Sequence, residues 1–404
     1  MPLFSRSGHS SLQTPATGPH SGRGRTPSRG PAPQTRPSGA NPTAQVGGLH
    51  IYDQSNRTDV SPPRETPVEP NTPLFRAVAT VIHLGLSLLE TPPGKEGLVR
   101  IGCGLIQERE NRNHIYEDRL ENMMWWVELF LARLRGSFPA LVLTNRMGGE
   151  GQALRSNWAS GGLNMRQYDP KDAGILKLNK LIMQNLVRAG EAAINNRQPR
   201  EAQFAAYENF MFIMAITVAH EVVHLFVGYL TGRELPNTPR RVSYIPSVYN
   251  KLQDDGTEMG ESGRAWEGYV FGGIVETAED RANPLGAYQA GTLWLIDERK
   301  QVRRIDRSSV KQILNEDFAF PLRTTGPAIS LAEMDRNYRM MKTVREPLLS
   351  SALVQILNRD RPTRTIRADI VRRYTIMAPQ NVRDREFIRL RQAMREPRFL
   401  FVAA

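Results

Sequence analysis

The longest apolar stretch of the chain, from about Ala202 to Leu230, constrains the fold most strongly. No proline interrupts it, and the dipeptide Thr231–Gly232 that follows is a helix stop signal reinforced by Pro236. A stretch of this length and apolarity predicts one long helix that the rest of the chain must surround, because a helix apolar on all sides is stable only when buried.

Three chemically reactive side chains interrupt this apolar helix: His220, Glu221 and His224 in the sequence His-Glu-Val-Val-His. Residues four apart lie on the same face of a helix, so both imidazoles can bind one ion at about 2.0–2.1 Å. Glu221 lies at the edge of that face, where it can act as the general base that takes a proton from an activated water. The alternative is a buried His/Glu cluster that forms hydrogen bonds within the core and binds no metal.

The motif and its apolar surroundings resemble the zincin metallopeptidases over about ten residues. The segment His220–Gly232, together with the later block Gly260–Glu267 (Gly-Glu-Ser-Gly-Arg-Ala-Trp-Glu), also looks like a group of fungal proteins with the same two blocks. The resemblance implies a zincin-like domain, one Zn²⁺ per chain and peptidase activity.

The third metal ligand is not fixed by the motif. A metzincin would carry Gly and His where this chain has Val227 and Leu230, and no histidine follows His224. A carboxylate, as in the gluzincins, is therefore expected. We favour Glu267 over the alternative Glu276, because the pair of glycines at 272–273 would end a helix just before Glu276, whereas Glu267 lies in the better-formed segment.

This chemistry also needs a hydrogen-bond donor that stabilises the transition state. The sequence does not select among four candidates near the second block, which are Tyr244, Tyr249, Tyr269 and Arg264.

The remaining patterns predict an α+β, mainly helical domain. Apolar periodicity predicts helices over Leu74–Leu89 and Ile115–Arg135, and a short helix around Trp266. Strands are predicted at Ala140–Thr144, Ile175–Leu178, Thr292–Ile296 and Gln301–Ile305, with a Gly-rich loop over Gly148–Gly162. By analogy with zincins, the strand at Ile175–Leu178 is expected to form the sheet edge with which an extended substrate pairs.

Composition divides the chain into a basic tail, residues 1–72, which we expect to be disordered, and a domain over residues 73–404. Residues 1–50 carry five arginines and no acid, and residues 351–404 carry twelve arginines and five acids. These two ends account for the net charge of +12. The charge therefore gives no indication of specific nucleic-acid binding.

The beginning of the chain has no apolar signal segment, and the single cysteine fits a reducing compartment, so a cytoplasmic or nuclear location is expected. The run Phe210–Leu230 is long enough to span a membrane. We do not expect a membrane protein, because the next apolar segment, Ala77–Leu89, is too short.

The sequence thus predicts a zinc-dependent hydrolase, most naturally a peptidase, acting on a peptide or another carbonyl substrate. The alternative is a catalytically inactive zincin-like accessory protein, as could serve a fungal biosynthetic pathway.

Overall fold

The computed structural model describes residues 46–54, 65–107, 122–147, 149–156, 158–159, 165–195, 200–232, 238–252, 256, 258–279 and 290–338. Most of the predicted tail, the beginning of the predicted helix Ile115–Arg135 and the Arg-rich C-terminal segment lie outside these residues.

Helices and sheets are mixed along the chain, which agrees with the predicted α+β class. The strands are β1 (Ile51–Gln54), β2 (Glu65–Pro67), β3 (Ala140–Thr144), β4 (Gly151–Arg155), β5 (Gly174–Asn179), β6 (Lys251–Leu252), β7 (Glu258–Met259), β8 (Ile274–Ala278), β9 (Thr292–Ile296), β10 (Gln301–Ile305) and β11 (Thr324–Ser330). The helices are α1 (Pro73–Glu90), α2 (Pro92–Gln107), α3 (Met123–Gly136), α4 (Pro170–Ala173), α5 (Lys180–Asn195), α6 (Arg200–Thr231), α7 (Pro246–Tyr249), α8 (Ser262–Phe271), α9 (Arg307–Leu314) and α10 (Leu331–Asn337).

Helix α6 is the predicted apolar helix, and it lies at the centre of the main core. Phe210, Phe212 and Phe226 are fully buried, and burial of each such side chain contributes about 1.5–3 kcal/mol. Helix α1 crosses α6 closely at Gly85, where a Cβ atom would lie 2.8 Å from the carbonyl oxygen of Ala215. The crossing therefore requires glycine at this position.

A five-stranded sheet in the order β2-β1-β3-β5-β4 packs beside these helices. Strands β1, β3 and β5 are parallel, and the outer strands β2 and β4 are antiparallel to their neighbours. All five residues of β3 are buried, as expected for an internal strand.

The edge of this sheet differs from the prediction. The strand expected at the edge, Ile175–Leu178, belongs to β5 and lies between β3 and β4. The edge strand is β4, which comes from the segment predicted as a Gly-rich loop. Glycine at 151 is needed for a close approach to α6, and the same glycine hides the strand pattern in the sequence.

The ordered domain also begins earlier than predicted. Residues Ile51–Gln54 were assigned to the disordered tail but form β1, which pairs with β3 through Ile51 and Leu141. Ile51 and Tyr52 are buried. A short apolar run within a Pro- and Ser-rich stretch is too small to predict a strand without its partner strands.

A four-stranded antiparallel sheet, in the order β11-β10-β9-β8, follows α8. Helix α8 ends at Gly272, whose φ of 76° gives the left-handed conformation that closes many helices. The chain then turns directly into β8. This turn carries β8 back against α8.

Two described helices are long and apolar enough to cross a membrane, α1 and the Phe204–Thr231 part of α6. Their most apolar 18-residue windows are 78% and 83% buried. Such burial is typical of core helices.

Candidate metal centre

Helix α6 positions His220 and His224 on one face, one turn apart. The intervening Val222 and Val223 are fully buried on the other side of the helix, so core packing sets the rotation of α6 about its axis. The two imidazole Nε2 atoms are 3.3 Å apart. The motif therefore presents both ring nitrogens to one point.

Glu261 brings a carboxylate oxygen to the same point. It is the N-cap residue of α8, and one of its oxygens, Oε2, accepts a hydrogen bond from the backbone N–H of Arg264. The other, Oε1, lies 3.3 Å from Nε2 of His220 and 2.6 Å from Nε2 of His224. Within the described part of the chain, these three residues are the one group of histidine, cysteine and acidic side chains that could hold a metal ion.

The donor set fits zinc. Ligands at about 2.0–2.1 Å in a tetrahedral arrangement lie about 3.3 Å from each other, which is the separation in two of the three pairs. The Glu261–His224 pair would open by about 0.7 Å. Two imidazoles and one carboxylate, with no fourth protein ligand in the described group, are typical of a catalytic zinc site rather than a structural one.

The opposite ring nitrogens of both histidines have their own partners. Nδ1 of His220 lies 2.7 Å from Oε1 of Glu267, and Nδ1 of His224 lies 3.1 Å from the hydroxyl of Ser262. An ionised Glu267 can only accept, so Nδ1 of His220 carries a proton, and a cation bound at Nε2 would take the place of the second proton of the ring. Such partners fix both the tautomer and the ring orientation of metal-binding histidines.

This geometry corrects the predicted third ligand. Glu267 contacts the Nδ1 side of His220, away from the point where the two Nε2 atoms converge. The alternative, Glu276, lies on β8 and pairs with Arg264 at 3.0 Å. Of the three acids, Glu261 is the one whose carboxylate lies at that point. The sequence does not single it out, because Glu261 precedes a helix and acts as its cap.

A buried charge network holds Glu267. Arg264 donates to its Oε2 at 3.1 Å, and the backbone N–H of Val275 on β8 donates to the same oxygen at 3.0 Å. Burial alone would raise the pKa of Glu267, but Arg264 and His220 outweigh burial and lower it. Burial alone would likewise lower the pKa of His220, yet Glu261 and Glu267 raise it to about 10. The two carboxylates therefore favour a positive charge at His220.

Glycine at position 263 allows α8 to lie against the first imidazole. A Cβ atom at Gly263 would approach three ring atoms of His220 to 2.5 Å. Glu261 precedes this glycine and Glu267 follows it, so one turn and a half of α8 brings a carboxylate to each side of the ring. The spacing Glu-Ser-Gly-x-x-x-Glu was the signal in the sequence for this arrangement.

Glu221, the predicted general base, faces the edge strand β4. Its Oε2 accepts a hydrogen bond from the backbone N–H of Ala153 at 2.7 Å. A Cβ atom at Gly151 would lie 2.6 Å from Cγ2 of Thr217 and 3.0 Å from Cγ of Glu221. The edge strand therefore passes directly over the motif.

The four predicted transition-state donors are engaged in other contacts. The hydroxyl of Tyr244 donates to the carbonyl of Gly272 at 3.2 Å. The guanidinium of Arg264 pairs with buried carboxylates and lies 5.5 Å from the ring centre of Tyr249, and Tyr269 packs in the same way against Arg100. These contacts do not select one of the four as the donor.

Comparisons with protein-family models, with curated proteins and with solved structures find no match to this chain.

Proposed function

We propose that the protein is a zinc-dependent hydrolase with a zincin-like active site, and that it cleaves peptide bonds. The observation that carries the proposal is the convergence of Nε2 of His220, Nε2 of His224 and Oε1 of Glu261, with both Nδ1 atoms held by partners. Zinc bound by these atoms would polarise a substrate carbonyl and lower the pKa of water.

Glu221 supplies the proton transfers in this proposal. Glu221 is the residue after His220, the first proposed ligand. Its carboxylate lies at β4, between the motif helix and the place where a substrate would pair. There it would accept a proton from the attacking water and deliver it to the leaving amine.

The outer position of β4 in the sheet supports a peptide substrate. The backbone N–H of Asn179 donates to the carbonyl of Glu150 at 2.9 Å, and the backbone N–H of Ser156 donates to the carbonyl of Ala173 at 2.8 Å. The backbone N–H and carbonyl groups of the even-numbered residues of β4 therefore face β5. The backbone groups of Gly151, Ala153 and Arg155 therefore point off the edge of the described sheet. An extended peptide can add to such an edge as a further strand.

A second candidate is a catalytically inactive zincin-like accessory protein. It is favoured by the hydrogen bond from Ala153 to Glu221, because a base held by the protein's own backbone can be unavailable to water. Such a protein would bind zinc without turnover.

Hydrolysis of fluorescein-labelled casein by the zinc-loaded protein separates the two candidates. We expect the wild type to cleave casein, and Glu221→Gln to bind zinc normally while losing at least about 100-fold in rate. A zinc-loaded wild type with no more activity than Glu221→Gln would support the accessory protein.

A further inference from the structure

Strand β4 forms the edge of the sheet, and its backbone also contacts the proposed general base. The Ala153 N–H points away from β5, because the flanking residues Glu150 and Ser156 form the pairs that face that strand. It is therefore not needed for the sheet. Its partner is Oε2 of Glu221, at 2.7 Å.

The glycine two residues earlier allows this contact. Gly151 lies on the same side of β4 as Ala153, since side chains alternate along a strand. A side chain at 151 would meet Thr217 and Glu221 at 2.6 and 3.0 Å. Only glycine lets β4 approach α6 closely enough for the Ala153 N–H to reach the carboxylate.

We propose that the Ala153 backbone N–H, with the clearance at Gly151, is a positioning group that holds the Glu221 carboxylate in the orientation required of the general base. This inference rests on the proposed hydrolase function. A hydrogen bond from an N–H to a charged oxygen both orients and stabilises the carboxylate, and it leaves the second oxygen, Oε1, for the proton transfer. The bound N–H is consequently not a site for substrate pairing, whereas the Ala153 carbonyl still is.

The hydrogen bond itself can be tested without any activity. In protein labelled with ¹⁵N-alanine, the Ala153 amide proton should resonate downfield, because its acceptor is a charged oxygen. Glu221→Ala should move this resonance upfield, while Glu208→Ala, which removes another carboxylate of α6 that pairs with Arg307, should not. An Ala153 amide proton shift that is the same in Glu221→Ala and in the wild type would overturn the proposal.

The catalytic role is tested by removing the N–H alone. Ala153→Pro eliminates this donor and no ladder hydrogen bond, and proline is tolerated where the N–H faces away from a sheet. We expect kcat for labelled casein to fall about 10- to 100-fold with KM and zinc content unchanged. The control Gln152→Ala changes an exposed side chain of the same strand, leaves the Ala153 N–H in place and should retain kcat. A rise in KM at constant kcat would instead assign the N–H to substrate binding and contradict the positioning role.

A backbone ester covers the case in which the proline variant does not fold. Lactic acid incorporated at position 153 replaces the N–H by oxygen and preserves the side chain, and the same loss in kcat is expected. Unchanged kcat in the ester variant refutes the inference. A wild type that binds zinc but never cleaves casein refutes the proposed function instead, and the amide resonance then still decides whether the hydrogen bond exists.

Discussion

At the scale of single residues, the site assigns different tasks to two glutamates on one short helix. Glu261 faces the Nε2 atoms of both histidines, and Glu267 faces Nδ1 of His220 alone. The imidazole of His220 lies between them against Gly263. Glu261 is thus placed as a metal ligand, and Glu267 as the group that orients one.

This division predicts graded losses of zinc affinity. Glu267→Gln should weaken zinc binding about 10- to 100-fold without abolishing it, because the ring of His220 loses its charged partner and not its lone pair. Competition with a fluorescent chelator measures the change. Glu276→Gln is the matched control, since Glu276 pairs with Arg264 but does not contact His220. Equal losses in both variants would show that the effect comes from the charge network as a whole.

Gly263→Ala should disturb the same histidine by sterics alone. The new methyl group would lie 2.5 Å from ring atoms of His220, so either α8 or the ring must move. We expect a loss of about 1–3 kcal/mol in unfolding free energy and weaker zinc binding. Gly136→Ala, where no atom lies within 4 Å of the new Cβ, serves as the control in urea unfolding. Unaltered zinc affinity in Gly263→Ala would contradict the tight packing described.

At the scale of elements, patterns with strong periodicity were predicted correctly and a glycine-dependent strand was not. Helices α1 and α6 and the β9–β10 hairpin follow the predicted ranges within two residues. Strand β4 was predicted as loop, because Gly151 gives no strand signal on its own. Its role depends on contact with α6, which no local pattern contains.

The crossing of α1 and α6 is a second element held by one glycine. Gly85→Ala would place a methyl group 2.8 Å from both the Ala215 carbonyl and Cγ1 of Val218. We expect a loss of about 1–3 kcal/mol in stability, seen as a lower urea midpoint. A midpoint equal to that of Gly136→Ala would mean that the two helices are not in close contact.

His50, the residue that precedes β1, is expected to have a lowered pKa. Burial and the nearby Lys171 lower the pKa of His50 from 6.5 to about 4. The folded state then resists protonation, so His50 stabilises the fold above about pH 6.5, and this contribution is lost as the pH falls toward 4. His50→Gln should therefore lose less stability than the wild type between pH 7 and 4.5. A pKa of His50 near 6.5, measured by NMR titration, would instead indicate that this segment belongs to the disordered tail.

At the scale of the whole molecule, three separate elements build the site. In the proposed site, helix α6 supplies two histidines and the proposed base Glu221, the start of α8 supplies the proposed third ligand and two groups that contact the histidines, and β4 lies against Glu221. The sequence sufficed for the motif on α6, because ligand spacing on one helix is a local property. It did not suffice for Glu261 or Ala153, because their roles depend on how distant segments pack.

The most direct test of the central claim is zinc content per chain after dialysis against a weak chelator at neutral pH, for the wild type, His220→Ala and Glu261→Gln. The three-ligand site predicts about one zinc in the wild type, none in His220→Ala and little or none in Glu261→Gln. A folded wild type that retains no zinc after resupply would contradict the metal centre, and full zinc in Glu261→Gln would contradict the assignment of the third ligand.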